Sequence, residues 1–207
     1  MHNLRRARLA SLVCLAGGTV QIIYGLLAIL FPYWESGYEW AEALWAVANV
    51  GMIGGAFGLL ALDVARPRWL AVIGAALGIL GHLIRIVASA LIIIAPSNSD
   101  AYVPLILISI GLMVLGMGSL GIATLLGKQL HGWQAWTPLL VVGFALITAP
   151  TYSINLYLHF ILLGIWGVPW LLVGYVVFTH AANRHQPMPD QASSAGPEQG
   201  ARLTQPH

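Results

Sequence analysis

Arg85 is the one Lys or Arg that falls inside a long apolar stretch of this chain. It recurs with Gly74, Gly78, His82 and Ser89 at spacings of three and four residues, which places all five on one face of a helix. Small residues let such a face approach its neighbours closely. The polar residues on it must then point into a helix bundle, because lipid satisfies neither a guanidinium nor an imidazole. A central arginine costs about 2.5–3.5 kcal/mol on insertion scales, so this face needs something that offsets a buried positive charge. The chemistry within reach is anion holding by Arg85 and hydrogen bonding or proton exchange at His82.

Depth along the helices selects the groups that meet this pair. At about 1.5 Å per residue, counted from the outer edge of each span, Arg85 lies roughly 13 Å deep and His82 roughly 18 Å. Tyr24 and Gln21 on the first span lie roughly 10 and 15 Å deep, and Asn49 on the second roughly 12 Å. Gln21, Tyr24, Asn49, His82 and Arg85 therefore form one candidate ligand-binding layer among spans 1–3. Glu42 shares a face with Trp45 and Asn49 and is the nearest carboxylate, but the same count leaves it only roughly 1–2 Å deep. Two readings follow. In one, Arg85 bonds to Asn, Gln, Tyr and backbone carbonyls, leans outward towards Glu42 and pins the fold. In the other, the layer is wet and a small polar or anionic solute supplies the missing acceptor.

Familiar catalytic and cofactor signatures are missing. No span holds a lysine for a retinal Schiff base, and neither an HExxH zinc motif nor a phosphate-binding Walker loop occurs. Met117-Gly118-Ser119-Leu120-Gly121 approaches the G-x-S-x-G elbow but has Met in its first position. No catalytic residue, metal ligand or cofactor is assigned. An embedded enzyme acting on a lipid-soluble substrate, with His82 and Arg85 as acid and anion holder, is the alternative class. A b-type haem on His82 and His159 is a minor alternative, because the two lie at very different depths. Trp166 and Trp170 flank Pro169 on the last span and read mainly as packing residues beside a kink; the alternative is that they line a pocket for an apolar or cationic ligand.

The elements that position these groups follow from composition. Hydrophobic residues make up 58% of the 207 and charged residues 8%, against about 25% charged in a soluble domain. A spanning helix needs roughly 20 apolar residues, and the chain offers Leu9–Phe31, Ala41–Leu62, Trp69–Ile94, Val103–Leu126, Trp136–Ser153 and Leu156–Thr179. The fifth is the weakest, with Pro150 near its end and a tight turn at Ile154 and Asn155; a re-entrant fifth segment is the alternative. The first run is too long for a signal-peptide core of about 7–15 residues and reads as a membrane helix. Cys14, the lone cysteine, reads as a small packing residue. The fold class is thus all-α: a polytopic membrane protein of six transmembrane helices.

Charge placement orients it. Arg5, Arg6 and Arg8 precede span 1, Arg66 and Arg68 lie between spans 2 and 3, Lys128 follows span 4, and Arg184 and Arg202 follow span 6. The other three loops carry Glu35, Glu39 and Asp100 with no Lys or Arg. Basic loops mark the cytoplasmic side, so both termini are expected inside. Tyr33, Trp34, Tyr38, Trp40, Tyr102 and Tyr157 mark the outer boundary, and Trp69, Trp133, Trp136 and Tyr175 the inner one. Residues 1–180 read as the membrane domain and 181–207, rich in Pro, Gly, Ser and Gln, as a disordered cytoplasmic tail. Arg over Lys with abundant Ala, Gly and Leu suggests a bacterial plasma membrane. The expected partners are the lipid bilayer and a small polar or anionic solute, with no nucleic acid; the oligomeric state is left open. Basic and small residues recur at offsets of 60 or 61 between successive hairpins, a weak hint of tandem repetition.

Overall fold

The computed structural model describes residues 2–31 and 39–184. Six long helices carry almost all of them: α1 (His2–Leu30), α2 (Glu39–Ala61), α3 (Arg68–Ile94), α4 (Val103–Gly127), α5 (Thr137–Ile154) and α6 (Leu156–Asn183). Short 3-10 turns at Pro96–Tyr102 and Gly132–Trp136 lead into α4 and α5. All six helices are long and apolar enough to cross a membrane, and no strand occurs among the described residues.

The boundaries have local causes. Pro104 and Pro138 stand in the first turns of α4 and α5, where a missing N–H costs nothing. Lys128 closes α4 in the left-handed region at φ 53°. Asn155 makes the tight turn between α5 and α6 by accepting a 3.0 Å hydrogen bond at Oδ1 from the Leu158 N–H. The fifth segment is long and apolar enough to cross: together with its leading 3-10 turn it covers Gly132–Ile154, 23 residues, with Pro150 inside the helix. Two boundaries differ from the sequence reading. Helix α1 begins at His2, so Arg5, Arg6 and Arg8 ride on the helix itself. Helix α6 runs to Asn183, four residues past the apolar run that marks the span. Apolar runs locate the hydrocarbon core, whereas helices extend past it into the interface. Tyr33, Trp34, Glu35, Tyr38 and the tail from His185 onward lie outside the described residues, as does the side chain of Asp100.

Each helix packs against the next, α6 returns to α1, and α2 also meets α6. Glycines set the closest seams. On α1 and α2, Gly17 faces Gly51: a Cβ on Gly17 meets the Gly51 Cα at 2.5 Å. Gly25 abuts Gly164 between α1 and α6, and Gly116 abuts Gly78 between α3 and α4. Outside the bundle the surface is inverted relative to a soluble protein, with Leu107, Leu115 and Leu126 of α4 and Leu146 and Ile147 of α5 exposed; lipid is the solvent that surface fits.

One end gathers the basic residues. Arg184 donates from Nη1 to the Leu62 carbonyl at 3.1 Å and from Nη2 to Gln129 Oε1 at 3.0 Å. The Arg66 N–H donates to the Ala123 carbonyl at 2.7 Å. Asp63 pairs with Arg66 at 2.9 Å and Arg68 at 3.4 Å, and the Arg8 guanidinium lies 5.5 Å from the Phe178 ring centroid. Four basic segments thus share one end, the one the positive-inside rule assigns to the cytoplasm.

Candidate functional site

The glycine face of α3 splits its task along its length. Towards the basic end, Gly74 sits against α4, where a Cβ meets the Leu120 nitrogen at 2.7 Å. Further along, the same face turns polar and meets α2 and α6. His82, Arg85 and Ser89 are all buried there.

Arg85 finds a carboxylate. Its Nη2 lies 3.0 Å from Glu42 Oε2 and 3.3 Å from Oε1. The angular geometry makes Oε1 the hydrogen-bond acceptor, while Oε2 sits off the donor axis and contributes charge alone. Nη1 donates to Ser89 Oγ at 2.7 Å. The guanidinium carbon stands 5.3 Å from the Trp45 ring centroid, a cation–π contact in a dehydrated setting. Glu42, which depth counting set apart from this layer and towards which one of the two readings leaned Arg85, is the partner it meets. Residue counting measured Cα depth, but the arginine stem extends towards the outer end and covers the difference. Side-chain exposure is 9% for Arg85 and 15% for Glu42, so the pair is sheltered with one edge open.

A second polar contact lies beneath it. Asn49 donates from Nδ2 to the Trp45 carbonyl at 2.8 Å, leaving Oδ1 as the acceptor for His82 Nδ1 at 2.7 Å. An amide oxygen only accepts, so this contact places the imidazole proton on Nδ1 and leaves Nε2 of the neutral ring as an acceptor. Nε2 is buried and has no partner among the described residues. The His82 ring meets Trp170 of α6 edge to face at 5.3 Å. The indole N–H groups of Trp45 and Trp170 are likewise buried without acceptors.

The other two sequence candidates divide. Tyr24 joins the site through aromatic contacts, 5.1 Å from Trp45 and 6.3 Å from Phe160. Gln21 does not reach Arg85. Its Nε2 donates to the Leu163 carbonyl at 2.9 Å across the α1–α6 seam, while its Oε1 has no partner among the described residues. The constellation is thus built by α2, α3 and α6 with Tyr24 added from α1, not by helices 1–3 alone. Trp45 and Trp170 are the members sequence reasoning passed over as site residues. Trp45 was readable from its place between Glu42 and Asn49 on one face. Trp170 read as a packing or pocket ring with nothing to tie it to His82, because that contact exists only once α6 packs inside.

His159 belongs elsewhere. Its Nδ1 faces the Thr148 carbonyl at 3.1 Å and Thr151 Oγ1 at 3.2 Å, tying the start of α6 to the end of α5. His82 packs on Trp170, about 16 Å along α6 from His159 by the helical rise. Two imidazoles so placed do not bracket one haem iron. Among the described residues no group of three or more His, Cys, Asp or Glu side chains is arranged to hold a metal ion.

Six apolar spanning helices around a sheltered polar cluster define a multi-pass helical membrane protein. No protein-family model, curated protein or solved structure matches the chain.

Proposed function

We propose that this chain is a non-enzymatic solute-binding protein of a plasma membrane, basic end in the cytoplasm, serving transport or a membrane complex. Its solute is small and polar or anionic. The observation that carries this reading is the Arg85–Glu42 pair, open at one edge, above a His82 acceptor and two indole donors that have no partner among the described residues. Buried polar groups are normally hydrogen-bonded, and intramembrane ionisable residues mark ligand and ion pathways by default. An anionic solute exchanges with Glu42 for the Arg85 fork, which suits carboxylate or phosphate oxygens; Trp45, Trp170 and His82 supply the remaining donors and acceptor.

The test is ligand-induced thermal stabilisation in detergent, using acetate, lactate, succinate and inorganic phosphate. A bound anion at a hundredfold excess over its Kd raises the melting temperature by about 5–10 °C. Glu42→Gln removes the competing carboxylate and should strengthen the response. The double variant Arg85→Met/Glu42→Gln removes both charges and should abolish it. A parent protein and Glu42→Gln variant that both ignore every anion would overturn the anionic solute.

A second reading rests on the completeness of Arg85's own contacts. Glu42, Ser89 and Trp45 together occupy the guanidinium, as a purely architectural clamp between α2 and α3 would. In that case the protein serves a membrane complex as a rigid accessory, and no anion distinguishes the three proteins.

A further inference from the structure

On the outer surface of α1 and α2, well away from Arg85, a groove of about 540 Å³ runs between the two helices. Arg6, Leu9, Ala10 and Val13 line one side and Val50, Ile53, Gly54 and Phe57 the other. Both sets follow the i, i+3, i+4, i+7 spacing of one helical face, so the groove is the valley between two antiparallel helices. Its floor is made of small residues in tight contact: a Cβ on Gly54 meets the Ala10 carbonyl oxygen at 2.7 Å. Its walls are exposed Leu9, Val13, Val50 and Phe57. Past Val13 the two helices approach most closely where Gly17 faces Gly51.

We propose that this groove binds an anionic glycerophospholipid of the cytoplasmic leaflet, one acyl chain lying in the valley and the phosphate on Arg6. Three observations agree on that occupant. The lining is apolar except for Arg6, a cation at the end where the other basic segments gather. From Arg6 to Val13 the groove is about 10 Å long, inside the roughly 15 Å half-thickness of the hydrocarbon core, so it belongs to one leaflet. Arg6 is exposed, while Arg8 on the same helix turns to the Phe178 ring. Basic sites between helices on the cytoplasmic side suit lipid headgroups, and the walls hold a chain that a free phosphate lacks. This inference shares no residue with the solute reading and rests only on the orientation proposed above, the basic end in the cytoplasm.

The experiment is native mass spectrometry of the purified protein with equimolar dioleoylphosphatidylglycerol and dioleoylphosphatidylcholine. The parent should retain phosphatidylglycerol over phosphatidylcholine. Arg6→Gln should cut that preference roughly fivefold, leaving phosphatidylcholine retention unchanged, and Arg5→Gln should leave the preference intact. Val50→Trp fills the valley from an exposed position and should lower retention of both lipids. Melting temperatures equal to the parent's show that each variant is folded. Equal losses on Arg5→Gln and Arg6→Gln would mean diffuse attraction to basic charge and overturn the site, as would full retention by Val50→Trp.

Discussion

Arg85 is held by a carboxylate, a hydroxyl and an indole face, and each contact constrains what its replacement does. Arg85→Met alone leaves the Glu42 carboxylate facing a thioether. Breaking a fully buried pair costs about 3–5 kcal/mol, and the open edge of Glu42 makes the loss smaller here. The double variant Arg85→Met/Glu42→Gln should recover most of the loss, because an absent pair strands no charge. Heat-induced aggregation of the parent, both single variants and the double variant gives the cycle; a double variant no more stable than Arg85→Met would show that Glu42 is not what Arg85 balances. Arg85→Lys keeps the cation and loses the planar fork, so it should fold and hold Glu42 while dropping one of the two contacts to Glu42 and Ser89. At this scale the sequence was informative about which residues matter: a lone intramembrane arginine on a face with His82 and Ser89 could only be interior. It was less informative about partners. Depth counting omits side-chain reach, which set Glu42 too shallow for Arg85, and it ranks groups by height without regard to azimuth, so it had no means of showing that Gln21 bonds across the α1–α6 seam.

Helices rather than residues decide which substitutions the seams tolerate. Gly78 and Gly116 touch across α3 and α4, yet their surroundings differ. A Cβ on Gly78 meets nothing nearer than Met117 Sδ at 3.8 Å, ordinary contact with a flexible side chain, whereas one on Gly116 strikes the Gly78 backbone. Gly78→Ala should therefore be neutral, or slightly stabilising from helix propensity, and Gly116→Ala should cost about 1–3 kcal/mol or more because backbone cannot yield as a side chain does. Gly127 belongs with Gly116: its Cβ strikes the Val64 carbonyl oxygen, so Gly127→Ala should also destabilise. Detergent melting of the three variants checks the order, and a Gly78→Ala protein less stable than Gly116→Ala would refute it. Spacing on α3 marked Gly74 and Gly78 as a packing face, which the contacts with α4 support. Spacing has no means of showing which member of a glycine pair has room, or that Gly127, at the end of an apolar run, is buttressed by the loop before α3.

The six spans were legible because hydrocarbon thickness fixes length, and only long apolar runs satisfy it. The order of packing was not, because a helix apolar all round gives no azimuth from which to aim it. Helix α6 is such a helix, and it touches α1, α2 and α5. Orientation comes from a different physical term, the placement of charge in the loops, and the gathered basic end gives it a direct test. In a Cys14→Ala background, a cysteine at Ser97 reports the loop between α3 and α4, and one at Lys128 reports the loop between α4 and α5. Both native residues are exposed. If basic residues stay in the cytoplasm, Ser97→Cys should react with a membrane-impermeant maleimide on intact cells and Lys128→Cys only after permeabilisation. Substituting Lys128 removes one basic residue of this end, but Arg5, Arg6, Arg8, Arg66, Arg68 and Arg184 keep the bias, so the label reads native topology. Labelling of Lys128→Cys on intact cells with Ser97→Cys protected would invert the molecule and place the Arg85–Glu42 edge towards the cytoplasm. It would also move the Arg6 groove to the outer leaflet, so this one measurement fixes the side from which both sites are approached.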